Sequence, residues 1–128
     1  MIFSIKNSLM SWVMRKRIHQ IELFIKYPND VQHDWFENLL NTAQHTEWGK
    51  KYRYNEINTY NTYRERVPIS TYEDLSPFIE RLRKGQENIL WPTESKWFAK
   101  SSGTSGHRSK FIPVTKESLK DCHFKGGK

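Results

Sequence analysis

The sequence predicts an α/β fold that opens with helices and reaches only the first part of a sheet. Apolar residues recur at three- and four-residue steps through much of residues 1–95, as in helices that bury one face. Two short apolar runs then lie within residues 96–114 and are bounded by turn-forming residues, as strands are. We therefore expect a helical lead-in over residues 1–95, a strand–loop–strand segment around residues 96–114 and a helix from about residue 115.

Two helices are predicted before residue 59. The apolar pattern of the first is broken by the basic run Arg15-Lys16-Arg17, and the helix ends at Tyr27-Pro28. A second helix takes Asn29 or Asp30 as its N-cap and runs toward Gly49. The apolar positions of the first helix are Ile5, Leu9, Trp12, Val13, Ile18, Ile21, Phe24 and Ile25. We expect the apolar stripe of the second helix to pack on the first.

Capping signals place the later helices. Thr59 to Val67 forms a short helix that Pro68 stops. Ser70 and Glu73 have the spacing of a capping box, so a further helix starts there and ends at Gly85. Thr115 is the N-cap candidate for the last helix.

The loop between the two predicted strands, Trp97 to Lys100 and Phe111 to Val114, has the composition of a phosphate site. Gly103 and Gly106 allow positive φ, so successive N–H groups can form an anion-binding concavity. The loop also supplies hydroxyl groups and one cation, from Ser101, Ser102, Thr104, Ser105 and Lys110. These groups suit the phosphates of a nucleotide. The spacing is neither that of a Walker loop nor that of a dinucleotide-binding fingerprint.

The charge balance favours an anionic ligand. Lys and Arg number 21 against 14 Asp and Glu, a formal net charge of +7, and the excess is strong from Lys100 onward. Nucleotide phosphates would satisfy this charge, and so would nucleic acid or an anionic lipid. The alternative function is therefore a nucleic-acid or anionic-ligand binding module, since Gly103 to Gly106 has the GxxG spacing of KH modules. The KH loop joins two helices, whereas these flanks are strand-like, so no nucleic-acid partner is expected.

The loop also resembles a known family. Ser-Ser-Gly-Thr-Ser-Gly-x-x-x-Lys over residues 101–110, followed by Phe-Ile-Pro-Val-Thr, is similar to the first nucleotide-binding motif of the auxin-responsive (Gretchen Hagen type) acyl acid amido synthetases, which are adenylate-forming enzymes. Residues 66–75, 85–92 and 122–128 resemble further segments of that family, so the resemblance spans roughly residues 59–128. One departure is His107, where the plant-type motif has glycine. A cationic imidazole at that position would strengthen phosphate binding as the pH falls.

The resemblance implies a reaction and a role for each loop residue. ATP and a carboxylic acid give an acyl-adenylate and pyrophosphate, and an amine or amino acid then displaces AMP to form an amide. ATP, with Mg²⁺, is the implied cofactor. By the same resemblance the four hydroxyls contact phosphate, Gly103 and Gly106 permit the turn, and Lys110 offsets charge. No general acid or base and no metal ligand is predicted in the chain.

The resemblance also implies a much longer enzyme, so the chain is expected to be one incomplete N-terminal domain of an adenylate-forming fold, inactive alone. Its partners would be small-molecule acids and amines. No apolar run is long enough for a membrane span, and no secretory signal is recognised, which predicts a cytoplasmic protein. The basic helix over residues 5–26 is expected to pack on its own enzyme rather than on a membrane. A single cysteine, Cys122, excludes an internal disulfide.

Overall fold

The computed structural model describes the backbone of residues 2–102 and 109–123, and side chains within those ranges from residue 8 onward. The chain divides into two compact units, one up to Asn38 and one from Leu39. The described part is mostly helical and contains a two-stranded antiparallel sheet. This composition is compatible with a partial α/β domain.

The first two helices differ from their predicted bounds. Helix α1 spans Ile2–Lys26 without a break, because Arg and Lys are good helix formers and interrupt the apolar pattern without interrupting the backbone. Helix α2 spans Pro28–Ala43 and starts at the proline rather than after an Asn29 or Asp30 cap. Proline suits a first helical turn because its φ is fixed and its missing N–H would have no partner there. No helix in the part of the chain that the structure describes is long and apolar enough to cross a membrane.

The described apolar side chains of α1 are largely exposed, so the predicted packing of α2 on α1 does not bury them. Ile25 is 76% exposed and Trp12 is 53% exposed. At about 100° per residue, Leu9 and Trp12 lie on one side of the helix and Ile18 and Ile25 on the other, so α1 has no single apolar stripe. The exposed apolar residues of α1 are Leu9, Met10, Trp12, Met14, Ile18, Ile21, Leu23, Phe24 and Ile25.

The second unit contains the buried core, which is built from short helices. After α2 come α3 (Glu47–Lys51), a 3₁₀ turn (Tyr54–Glu56), α4 (Tyr60–Arg66) and α5 (Tyr72–Arg83). Helix α4 confirms the helix predicted for residues 59–67, with Thr59 as its N-cap. The buried apolar residues are Leu40, Ala43, Ile57, Ile79, Leu82 and Ile89.

Helix α5 starts one residue later than predicted. Its capping box uses Thr71 and Asp74, not Ser70 and Glu73: the Thr71 hydroxyl accepts the Asp74 N–H, and the Asp74 carboxylate accepts the Thr71 N–H. Both frames satisfy the same spacing, which alone does not choose between them. The helix ends as predicted beside Gly85, whose φ is +84°.

A buried turn joins α2, α3 and the segment before the sheet. Thr46 has no solvent exposure; its hydroxyl donates to the Ala43 carbonyl at 2.6 Å and accepts the Gly49 N–H at 2.9 Å. The N–H groups of Glu47 and Trp48 donate to the carbonyls of Asn88 and Ile89 at 2.9 and 3.0 Å. These two hydrogen bonds attach residues 88–89, which precede the first strand along the chain, to the start of α3.

Strands β1 (Trp97–Lys100) and β2 (Phe111–Val114) cover the two predicted runs. They pair antiparallel, with Trp97 opposite Val114 and Lys100 opposite Phe111. Thr115 caps α6 (Lys116–Ser118), as predicted, and a π-helical turn follows over Leu119–His123. The candidate phosphate loop therefore connects the adjacent ends of β1 and β2.

Candidate functional site

The structure brings together the first and last of the predicted phosphate-binding residues. The Ser101 N–H donates to the Lys110 carbonyl at 2.9 Å, and the Lys110 N–H donates to the Ser101 hydroxyl at 3.0 Å. These two bonds close the base of the loop. Ser102 lies exposed beside them. The other predicted residues, Gly103, Thr104, Ser105 and Gly106, lie outside the described residues, as does His107.

The hydrogen-bonding pattern of the hairpin leaves the Phe111 amide without a partner on β1. Opposed residues in an antiparallel pair alternate between those that exchange hydrogen bonds and those that do not. Ser101 and Lys110 form a bonded pair, so the next pair, Lys100 and Phe111, directs its N–H groups away from the neighbouring strand. The Phe111 N–H instead donates to the Tyr72 hydroxyl at 2.9 Å. The same alternation makes Pro113 acceptable in β2, because its position opposite Phe98 needs no N–H.

The Lys110 side chain lies against the first turn of α5. Its Nζ is 3.7 Å from a carboxylate oxygen of Glu73 and 5.2 Å from the centre of the Tyr72 ring. The side chain is 45% exposed, so the ammonium is accessible to a ligand. Sequence reasoning did not identify Tyr72 and assigned Glu73 to helix capping; no spacing pattern links either residue to a lysine more than 35 positions later.

A second cation lies at the other end of α5. The Arg83 guanidinium carbon lies 4.0 Å from the centre of the Phe111 ring, within cation–π range. Helix α5 thus contacts Phe111, the residue directly after Lys110, from both of its ends. Tyr72 in the first turn bonds the Phe111 amide, and Arg83 in the last turn lies over the Phe111 ring. The contacts hold β2 against a helix, and the Arg83 guanidinium is also paired with the Glu80 carboxylate at 2.8 Å.

Glu117 connects α6 to the segment before β1. Its carboxylate accepts the Thr93 hydroxyl at 3.1 Å. A hydrogen bond from its own backbone N–H, together with the Thr93 hydroxyl, holds the pKa of Glu117 below its ordinary value. A carboxylate stabilised in this way is a weak proton acceptor, so the contact is structural.

The base of the loop is not part of either of two shallow depressions on the described surface. Two shallow depressions are each lined by one helix: Trp12, Arg15, Lys16, His19 and Gln20 line the first, and Asn61, Arg64 and Glu65 line the second. None of these residues belongs to the loop or its flanks. Within residues 2–102 and 109–123, no group of three or more His, Cys, Asp or Glu could hold a metal ion. The described flanks of the GxxG segment are strands, which does not favour a KH-type RNA site.

Comparison with known proteins identifies the family. Residues 17–127 match the model described as GH3 family N-terminal domain. The chain is 32% identical over 105 residues to indole-3-acetic acid-amido synthetase GH3.2 of Arabidopsis thaliana, covering 81% of this chain and 19% of that protein. It is 29% identical over 106 residues to indole-3-acetic acid-amido synthetase GH3.5 of the same plant, covering 82% of this chain and 17% of that protein.

A rice relative shows a shorter but closer match. The probable indole-3-acetic acid-amido synthetase GH3.13 of Oryza sativa subsp. japonica is 41% identical over 58 residues, which is 44% of this chain and 12% of that protein. The chain thus spans about a fifth or less of the length of these curated relatives. The predicted family resemblance is confirmed, and the family match extends N-terminal to the predicted residues 59–128 to include all of α2 and part of α1. The chain belongs to the GH3 family, and residues 17–127 correspond to its N-terminal domain.

Proposed function

We propose that this chain is the N-terminal portion of an ATP-dependent acyl acid amido synthetase. The enzyme would form an acyl-adenylate from ATP and a small carboxylic acid and then transfer the acyl group to an amine or amino acid. Family membership supports the reaction class, and the relatives' names describe amide synthesis from indole-3-acetic acid. The observation that carries the site is the closed loop base, where Ser101 and Lys110 meet beside an accessible ammonium group.

The loop would hold the phosphates of ATP. A hydroxyl that accepts one hydrogen bond can still donate its own proton, so Ser101 can bond the Lys110 amide and a phosphate oxygen together. Ser102 and the loop residues Gly103 to Gly106 would supply further hydroxyl and backbone donors. The Lys110 ammonium would offset the charge that develops as pyrophosphate leaves the α-phosphate. Positioning and electrostatic stabilisation of this kind need no titrating residue in the chain.

Mg²⁺ is the usual companion of ATP, and it binds substrate phosphates together with one or two carboxylates. We assign Mg²⁺ no ligand among the described residues. A cytoplasmic location belongs to the proposal because the reaction consumes ATP. We further propose that the 128-residue chain alone catalyses neither adenylation nor amide formation.

The test compares the chain with the longest native gene product that contains it. An antibody raised against the chain identifies that product, and acid-dependent ATP–pyrophosphate exchange is then measured for both. We expect exchange and amide synthesis from the longer product and none from the chain. Exchange by the chain alone would contradict its proposed inactivity. A longer product without exchange across a broad panel of carboxylic acids would contradict the enzyme assignment.

A lysine pair tests the site itself. Lys110→Ala in the longer product should lower kcat/KM for ATP by roughly 100-fold or more, as expected for loss of a group that stabilises transition-state charge. Lys100→Ala is the matched control, because Lys100 ends the opposite strand and carries the same charge. Equal effects of the two substitutions would indicate general attraction of an anion rather than a role for Lys110.

A further inference from the structure

We propose that the first turn of α5 positions Lys110: Tyr72 fixes the strand at the exit of the loop, and Glu73 holds the Lys110 ammonium until a phosphate displaces it. The inference rests on the proposed function, since it concerns the lysine assigned there to phosphate. It adds two residues, 38 and 37 positions before Lys110, that the phosphate motif does not contain.

Tyr72 acts on the backbone. Its hydroxyl accepts the amide of Phe111, the residue directly after Lys110, at 2.9 Å in a partly buried position. The strand register gives this amide no bonding partner on β1, so the Tyr72 hydroxyl accepts its hydrogen bond instead. The centre of the Tyr72 ring also lies 5.2 Å from the Lys110 ammonium, so one side chain bonds the residue after Lys110 and lies beside the lysine's charged end. The direction in which Lys110 leaves the strand therefore depends on Tyr72.

Glu73 acts on the charge. The carboxylate of Asp74 forms the helix cap, which leaves the Glu73 carboxylate to face Lys110. The 3.7 Å separation is longer than a hydrogen bond, and the two side chains are 73% and 45% exposed. Such a pair is weak, on the order of 0.2–1 kcal/mol for exposed ions, and breaks when a stronger partner arrives.

A phosphate chain is the stronger partner because it carries several negative charges and several acceptor oxygens. Glu73 would then compete with the ligand for the same ammonium group. Removing the carboxylate should tighten phosphate binding by about 1.5- to 5-fold, the factor that corresponds to an exposed ion pair. This sign is informative, because loss of a structural contact would weaken binding instead.

The experiment titrates inorganic tripolyphosphate into the ¹⁵N-labelled 128-residue chain, at a concentration and in a buffer where sedimentation velocity shows a monomer, and follows the amide signals of Ser101 and Lys110. Variants are Glu73→Gln, Lys110→Ala and their combination. Glu80→Gln is the matched control, since it removes the same charge from α5 where the carboxylate pairs with Arg83 at 2.8 Å. Titrations at about 50 and 500 mM salt separate screened ion-pair effects from packing effects. Circular dichroism checks that each variant folds.

Three outcomes decide the inference. Tighter binding by Glu73→Gln supports it if the gain is lost at high salt and in the Lys110→Ala background, and if Glu80→Gln shows no such gain. If Lys110→Ala weakens binding but Glu73→Gln does not tighten it, the inference is wrong and the phosphate role of Lys110 stands. If Lys110→Ala has no effect, that phosphate role and the inference are wrong together.

Tyr72→Phe tests the anchor without a ligand. The variant keeps the ring and removes only the hydroxyl, so hydrogen exchange of the Phe111 amide should accelerate by roughly 10-fold relative to the wild-type chain. Tyr63→Phe, on α4, is the control for loss of a phenol elsewhere. Unchanged exchange at Phe111 would show that Tyr72 does not hold the strand.

Discussion

At the scale of single residues, Thr46 is a fully buried polar group whose hydrogen bonds stabilise the second unit. Its hydroxyl satisfies a carbonyl and an N–H in the turn between α2 and α3. Thr46→Val preserves the shape but leaves both backbone groups buried without that partner, so the free energy of unfolding should fall by about 1–2 kcal/mol. Thr46→Ser keeps the hydroxyl and should cost less. Equal losses in denaturant titration would mean that the methyl group contributes as much stability as the hydroxyl, which would contradict this account.

Gly49 is required by space rather than by backbone conformation. A side-chain carbon at this position would fall well inside contact distance of the Ala43 carbonyl oxygen, and the neighbouring atoms are all backbone. Gly49→Ala should therefore lower the free energy of unfolding by about 3 kcal/mol. Gly85→Ala is the contrasting case, with open space but a φ of +84°, and should cost about 1 kcal/mol. The reverse order in chemical denaturation would contradict this account.

Ionised carboxylates make stability sensitive to acid. The hydrogen bond from Arg81 holds the pKa of Glu47 below its ordinary value of 4.5, and the backbone N–H of Thr71 lowers the pKa of Asp74 below 3.8. A carboxylate with a lowered folded pKa contributes stability that is complete above its unfolded pKa and is lost as the pH falls through the folded pKa. Melting temperature should therefore fall as the pH drops below about 4.5.

The Glu47→Gln variant isolates one contributor to that acid response. Two short bonds, 2.7 and 2.8 Å, join the Arg81 guanidinium to the Glu47 carboxylate. The variant should melt below wild type at neutral pH, and the difference should shrink as the pH falls through the lowered pKa of Glu47 in the folded chain. A difference that stays constant with pH would mean that the ion pair does not titrate with stability.

At the scale of elements, the start of α5 is decided by one capping residue. Thr71 accepts the Asp74 N–H, whereas the neighbouring Ser70 hydroxyl makes only a 3.4 Å bond to the Pro68 carbonyl. Thr71→Ala should lower the free energy of unfolding by about 1 kcal/mol, and Ser70→Ala should have little effect. Thermal denaturation of the two variants measures this directly. A larger loss for Ser70→Ala would restore the frame predicted from spacing.

The elements that the sequence predicts well are those with local signals at both ends. Strands β1 and β2 are short apolar runs beside turn-forming residues, and α4 lies between a threonine cap and a proline, so their positions follow from neighbouring residues. The predicted start of α2, after an Asn29 or Asp30 cap, was wrong because Pro28 fits both the end of one helix and the first turn of the next. Local patterns are ambiguous wherever two frames satisfy the same rule.

The candidate site was only half predictable for a different reason. Composition predicts the loop and Lys110 as a phosphate site, because hydroxyls, glycines and a lysine need no distant partner to indicate phosphate. Tyr72 and Glu73 contact Phe111 and Lys110, which lie 37 or more positions later, and these residues are close together only in the folded chain. The pairing of α3 with residues 88–89 is of the same kind. Contacts between distant segments depend on tertiary structure, which single-sequence patterns do not encode.

At the scale of the whole molecule, apolar burial is concentrated in the second unit. Every buried apolar residue of the described chain lies at Leu40 or beyond, whereas the described large apolar side chains of α1 are mostly 39–76% exposed. Exposed apolar surface of this extent promotes association between molecules in water. The isolated chain should therefore self-associate through α1, although the second unit holds its own core.

Removal of residues 1–26 tests this division of roles. Because the described side chains of α1, from residue 8 onward, contribute none of the buried core, the shortened chain should melt within about 3 °C of the full 128-residue chain, a shift that corresponds to less than 1 kcal/mol. Sedimentation velocity should show the full chain as oligomers at micromolar concentration and the shortened chain as a monomer. A matched variant with Ile18, Ile21 and Ile25 changed to Gln keeps the helix length and removes part of the apolar surface, so it should shift the equilibrium toward the monomer. A large fall in melting temperature on deletion would show that α1 stabilises the core, and oligomers that persist in both variants would place the associating surface elsewhere.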